Sequence, residues 1–461
     1  MISRIEALFR TAALVVLSLV PVAAAATSDP LVGLLEGEGS AALGAAVRVE
    51  RSLYKGAGVR YDLVPLLLYE SKYLYLHGYR LGLKLYDTPE QSLDVFFSQR
   101  FEGFPYDSLP ASLEGMAGRD TGTDFGASYE WRSGLGAVFG ELLHDVSGAS
   151  SGSEARLGYY YEWRRNGLRL RPYATLSWRD ATLNDYYYGV LPREATAARP
   201  AYRPGSGSNF DFGVYADYRL SARWRLLGGL SVTQWSKGVA DSPIVALGTQ
   251  LKALAGFAYD FSPEKNAWRE KGRPLKVKLL YGKSTDCNLL PVMALQCTST
   301  ATVDETRIAG FELGRPFIER LNGWPVDIVG YAGALYHDER DLQPDSWAVH
   351  ADMKAYYYGF PWSDRVRTRI GFGFGLSYAF RVPFVEARDQ AERGRNTSKL
   401  LVYLDPTIDV SVGDLFGVRK LRQTYLGVGA SHRSGIFGSS QLLGNVDGGS
   451  NYLYTYVEWA M

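Results

Sequence analysis

The chain has 461 residues, a net charge of +1, 46% hydrophobic residues and 21% charged residues. That length holds two domains or one large barrel, and the near-neutral charge excludes bulk electrostatic attraction to nucleic acid. No stretch after residue 26 is apolar enough for a membrane helix, so a bilayer would have to be crossed by strands.

Arg4 and Arg10 flank the start of a short apolar run, Thr11 to Val22, and Ala24-Ala25-Ala26 offers a small-residue cleavage site. This is the pattern of a secretory signal peptide over 1–26. As an anchor the run is too short to span comfortably, so export is expected, with the mature chain starting near Thr27.

After a small-residue lead-in, about 12 strand-like segments run to Phe261, with cores near 44–51, 59–69, 72–76, 79–86, 91–99, 124–132, 135–144, 154–164, 168–179, 209–219, 222–233 and 250–261. Asn209 to Leu220 shows the pattern best. Phe210, Phe212, Val214, Ala216, Tyr218 and Leu220 share one parity, and Asn209, Asp211, Gly213, Tyr215, Asp217 and Arg219 the other. Successive side chains of a strand face opposite ways, so such a segment has one oily and one wet face. Many of these, after a secretion signal, predict a transmembrane barrel with lipid outside and water inside. The 32 Tyr and 10 Trp suit its aromatic girdles.

Leu251, Ala253, Ala255, Phe257, Tyr259 and Phe261 form an apolar parity that ends on an aromatic, as a barrel-closing strand does, but in mid-chain. The charged stretch from Glu264 to Arg273, followed by Pro274, reads as a linker over 262–274. About eight further strands follow, near 275–283, 305–315, 324–336, 347–358, 365–380, 398–410, 422–434 and 449–460. Long and short connections alternate, as they do when both termini are periplasmic. The expected fold is all-β: two fused antiparallel transmembrane barrels of about 12 and about 8 strands, over 27–261 and 275–461. The alternative, one barrel of about 20 strands, leaves the internal closing strand and the linker unexplained.

Cys287 and Cys297 lie close together in a loop and can form a local disulfide in an oxidising periplasm. No His or further Cys nearby suggests a metal site, and no cofactor motif is present. Of the five His, His350 shares parity with Asp352 and Lys354 and should face a barrel interior; His77, His144 and His337 fall near strand ends or turns.

Several stretches resemble the MipA/OmpV family of outer-membrane proteins. They are Pro65-Leu66-Leu67-Leu68-Tyr69 with Tyr75-Leu76-His77-Gly78, then Asn184-Asp185-Tyr186-Tyr187-Tyr188-Gly189-Val190, Tyr202-Arg203-Pro204-Gly205-Ser206-Gly207-Ser208-Asn209-Phe210 and Asp241-Ser242-Pro243-Ile244. The resemblance covers 40–261. It implies an outer-membrane barrel without a catalytic motif, in a family that includes a scaffold linking a murein transglycosylase to a murein synthase, and antigenic or adhesive surface proteins.

The second barrel resembles lipid A 3-O-deacylases of the PagL type, eight-stranded barrels with a Ser–His pair. The resemblance rests on strand number, on His432-Arg433-Ser434, and on Gly448-Gly449-Ser450-Asn451 opening the last strand. His432 and Ser434 share the apolar parity of Leu426, Val428 and Ala430, so they should sit on the lipid face near the extracellular end. A polar pair there is costly unless it has a purpose or reaches the headgroup layer. The resemblance implies that His432 takes the Ser434 proton and Ser434 attacks an acyl carbonyl. The third residue is Asn451, by parity, or Asp447, in the loop before it. Where the family pattern has Asn after the serine, this chain has Gly435, whose backbone region would supply the oxyanion donor.

The expectation is therefore an outer-membrane protein of a Gram-negative bacterium, acting in envelope maintenance or remodelling, with lipid A as substrate and murein-processing proteins as partners. The rival is a non-enzymatic scaffold, adhesin or small pore, in which His432 and Ser434 are merely a hydrogen-bonded rim pair.

Overall fold

The computed structural model describes residues 35, 40–104, 109–261 and 274–461. The expected signal peptide and all of the expected linker except Pro274 lie outside them. The first group of strands is β1 (Ser40–Arg51), β2 (Val59–Glu70), β3 (Leu74–His77), β4 (Arg80–Asp87), β5 (Gln91–Gln99), β6 (Thr123–Ser133), β7 (Gly136–Asp145), β8 (Ser153–Tyr160), β9 (Trp163–Arg165), β10 (Leu168–Arg179), β11 (Gly207–Arg219), β12 (Trp224–Gln234) and β13 (Thr249–Asp260). The second is β14 (Lys276–Ser284), β15 (Arg307–Ile318), β16 (Val326–Asp338), β17 (Ser346–Tyr357), β18 (Thr368–Ala379), β19 (Leu400–Ser411), β20 (Tyr425–Ser434) and β21 (Asn451–Ala460).

Antiparallel pairing carries the first group round until β13 meets β1, closing a 12-stranded barrel. The three-residue β9 pairs with β10 beside the end of β8. The second group closes independently as β14-β15-β16-β17-β18-β19-β20-β21, with β14 against β21. Two barrels, not one of about 20 strands, are therefore present. Among the described residues no helix is long and apolar enough to cross a membrane.

The period-2 pattern works as physics requires. On β11 the side chains of Phe210, Phe212 and Tyr218 are exposed, whereas Asn209 and Asp217 are buried. Exposed apolar rows of this kind recur on both barrels and form the lipid-facing band. Long connections such as 180–206 and 380–399 gather at one end, and turns as tight as Gly134-Leu135 and Asn166-Gly167 at the other. By the rule for these barrels the long-loop end is extracellular.

Buried ion pairs occupy both interiors. In the first, Arg80 meets Glu141 at 2.9 Å and Arg225 meets Asp260 at 3.0 Å. In the second, Lys278 meets Glu312 at 2.5 Å and Lys354 meets Asp405 at 2.5 Å, all four buried. Such a filled eight-stranded barrel is a packed core, not a channel. His350 faces this interior, 3.0 Å from Asp352. His337, expected near a rim, is instead buried against Tyr452, because β16 carries its parity inward there.

The barrels touch. Ala41 and Leu67 on the outward face of the first form one buried cluster with Phe317, Ile318, Ile328 and Met353 of the second. These positions would face lipid on a lone barrel; here each wall covers part of the other. The Lys399 ammonium also donates to the Ser147 carbonyl across the extracellular end (3.1 Å).

Candidate functional site

The predicted site lies at the extracellular end of β20. Leu426 and Val428 are exposed on its outward face, while Ser431 and Arg433 are buried on the inward one. His432 and Ser434 continue the outward row, half-buried. The ladder sets His432 directly opposite Asn451, and His432 Nδ1 lies 2.7 Å from Asn451 Oδ1. With the amide oxygen accepting, Nδ1 carries the proton and Nε2 keeps a lone pair, the form a general base needs.

Other expected members are arranged differently. The Ser434 hydroxyl accepts from the Ile436 amide at 3.3 Å, and among the described residues no hydrogen bond joins it to His432. The Gly435 N–H donates to the Gly448 carbonyl at 3.1 Å, so it does not point into an open oxyanion position. A side chain at Gly435 would collide with the Val446 carbonyl, which accounts for glycine there. Asp447 is not brought to His432: its carboxylate pairs with Arg395 at 2.8 Å. Strand parity does not extend into that loop, so register selects Asn451 and not Asp447.

Arg433, the middle of the His-x-Ser triplet, was not singled out by the sequence. It donates to Glu386 Oε2 (3.0 Å), Ser377 Oγ (2.9 Å), Ser398 O (2.9 Å) and Lys399 O (3.1 Å). The helix Phe384–Glu392 carries Glu386 to it, and both residues are buried. Its parity with Ser431 was the available signal. The loop 285–306 is closed on itself by the expected Cys287–Cys297 disulfide, Cα atoms 5.7 Å apart.

The first barrel wears a cap over its extracellular end. Asp180 caps the helix Ala181–Tyr188 by accepting from the Leu183 amide at 2.8 Å. Leu183, Tyr187, Tyr188 and Val190 pack with Leu53, Tyr54, Phe104, Trp235 and Ile244 in one buried cluster. Ser242 Oγ donates to Tyr188 O at 2.6 Å, and Asn184 Nδ2 donates to Gly205 O at 2.9 Å. The quoted Asn184–Val190, Tyr202–Phe210 and Asp241–Ile244 stretches thus meet in this cap.

Two closed, apolar-banded barrels define the class: a transmembrane β-barrel protein of the outer membrane. Residues 43–261 match the family described as MltA-interacting protein MipA. The first barrel is accordingly similar to that family. The chain is 31% identical over 160 residues to outer membrane protein Omp26La of Vibrio anguillarum and, to the same degree, to outer membrane protein OmpV of Vibrio cholerae; each match covers 34% of this chain and 62% of the relative. It is 26% identical over 232 residues to the MltA-interacting protein of Escherichia coli, covering 50% of this chain and 93% of that protein. The chain thus spans 62% of the length of the first two relatives.

Proposed function

We propose that the second barrel is a serine ester hydrolase acting on an outer-leaflet lipid, lipid A, beside a first barrel that binds a murein-processing protein. The observation that carries the hydrolase reading is the His432–Asn451 hydrogen bond of 2.7 Å on the outward face that also bears Ser434. Asn451 orients the imidazole as the third residue of a triad does. A rotation of Ser434 away from the Ile436 amide would present its hydroxyl to Nε2. His432 would then take the hydroxyl proton as Oγ bonds the acyl carbon. The ester C–O bond breaks, the proton passes to the leaving sugar oxygen, and water releases the fatty acid from Ser434. The outward face at the headgroup level is where such an ester meets the protein.

The test uses the full-length protein in detergent micelles and a fluorophosphonate probe, which labels activated serines. Wild type should label at Ser434 and Ser434→Ala should not. His432→Ala should slow labelling by about 10²–10⁴-fold, the usual contribution of a general base. An unlabelled wild type, or equal labelling of Ser434→Ala, would sink this reading.

What supports the partner-binding role of the first barrel is its family match and the name of its Escherichia coli relative, MltA-interacting protein. A column bearing the full-length protein should retain a lytic transglycosylase from envelope extracts, equally with wild type and Ser434→Ala. No retention by either would remove this role.

A further inference from the structure

The wall of the first barrel has a notch. β2 pairs with β1 along its whole length, from Ser40↔Glu70 to Arg51↔Val59. On its other edge it has a strand partner only at Leu68, Tyr69 and Glu70, because β3 is four residues long and the chain turns back at Gly78 and Tyr79. The upper part of that edge, 59–66, has no strand beside it among the described residues. Pro65 stands there, on the same backbone parity as Leu63, whose N–H points into the notch; it has no N–H to give a neighbouring strand.

A segment of the second barrel fills the gap. The β20–β21 connection folds between the barrels, and the Leu63 N–H donates to Ser439 O at 2.9 Å. The Gln441 N–H donates to Asp62 Oδ1 at 3.0 Å on one side of the notch, and its side-chain amide donates to Gly103 O at 2.9 Å on the other. Leu442, Leu443 and Val446 are fully buried in a cluster with Val64, Leu66 and Leu68. The segment is bracketed by non-glycine residues in the left-handed region: Ile436 (φ 53°) and Phe437 (φ 54°) before it, Asn445 (φ 52°) after it. A β-branched residue in that region is strained, and such strain clusters at switches and clamps. Phe437 is 89% exposed.

A cavity of about 320 Å³ in the first barrel's lumen reaches Gly103, the residue whose carbonyl accepts from Gln441. On the notch side it is lined by Val64, Leu66 and Phe101, and beyond them by Arg100 and Arg179. Both arginines are buried; Arg100 pairs with Glu154 through Nη1 and with Asp124 through Nε, both at 2.7 Å, and Arg179 pairs with Glu102 through Nη2 at 2.5 Å, while Arg100 Nη2 and Arg179 Nη1 have no acceptor among the described residues. Buried guanidinium N–H groups call for an acceptor.

We propose that the notch is a lateral portal from the outer leaflet into this cavity, that segment 436–446 is its lid, and that the ligand admitted is a single-chain amphiphile with an anionic head. The apolar side at the notch takes the chain, and the free N–H groups of Arg100 and Arg179 take the head. The inference is independent of the hydrolase reading, since it uses neither Ser434 nor His432.

The experiment is native mass spectrometry of the full-length protein with lysophosphatidylglycerol or lysophosphatidylcholine. The wild type should retain the anionic lipid preferentially. Gln441→Ala, which releases the bridge across the notch, should raise its occupancy about fivefold, the scale of one hydrogen bond. Arg179→Gln should lower it about tenfold, the scale of a charged hydrogen bond. Equal retention of the two lipids, or no change in either variant, would overturn the proposal. Hydrogen exchange of wild-type segment 59–66 needs no variant: it should quicken when lysophosphatidylglycerol is added, and unchanged exchange counts equally against a lid.

Discussion

Asp405→Ala should cost the protein about 3–5 kcal/mol, the usual result of leaving a buried charge without its partner. Asp405 sits inside the second barrel 2.5 Å from the Lys354 ammonium and 3.5 Å from that of Lys278, and Tyr454 also donates to it. Both lysines are fully buried. Without the carboxylate, Lys354 loses its only ion pair among the described residues, and Lys278 is left with Glu312 there. Against a native stability of about 5–15 kcal/mol, that loss is large. Urea unfolding of the detergent-solubilised protein measures it. The double variant Asp405→Ala with Lys354→Met should recover part of the loss, because an apolar side chain of similar length needs no counter-charge. A change within about 1 kcal/mol, the range of an exposed pair, would show that water reaches this network.

Arg433→Met should be comparably damaging, by about 3–5 kcal/mol. The guanidinium ties Glu386, Ser377 and the carbonyls of Ser398 and Lys399 together at the extracellular mouth of the second barrel. Removing it strands the Glu386 carboxylate, whose other hydrogen-bond partner is Ser450 at 3.3 Å. Beyond stability, the connection 380–399 should lose its anchor, so limited proteolysis should cut it faster in the variant than in wild type. Unchanged cutting would mean that the helix Phe384–Glu392 is held without Arg433.

Strand identity was legible because one period governs it. Phe210 and Phe212 had to face lipid once Asn209 and Asp211 faced inward, and all of the expected strand cores recur as strands. The closure after Phe261 was legible for a similar reason: an aromatic-ended apolar row meets the first strand, as Tyr259↔Leu43 shows. At the site, parity alone paired His432 with Asn451, since both lie on ladder strands. It failed for Asp447, whose loop follows its own hydrogen bonds to a partner about 50 residues away, Arg395. The engagement of the Gly435 amide by Gly448 is likewise a loop property without a period. The contact between the barrels was not legible at all. Leu67 and Met353 read as lipid-facing residues, which by chemistry they are; only the fold shows that a second wall stands where lipid would be. The notch follows the same logic: the shortness of the four-residue β3 has meaning only beside the full length of β2.

Lipid A mass spectrometry from cells expressing the wild type, Ser434→Ala, or neither is the most direct measurement. One ester-linked hydroxyacyl chain should be lost with the wild type alone, with both proteins inserted in the outer membrane. Identical spectra from all three, with insertion confirmed, would contradict it.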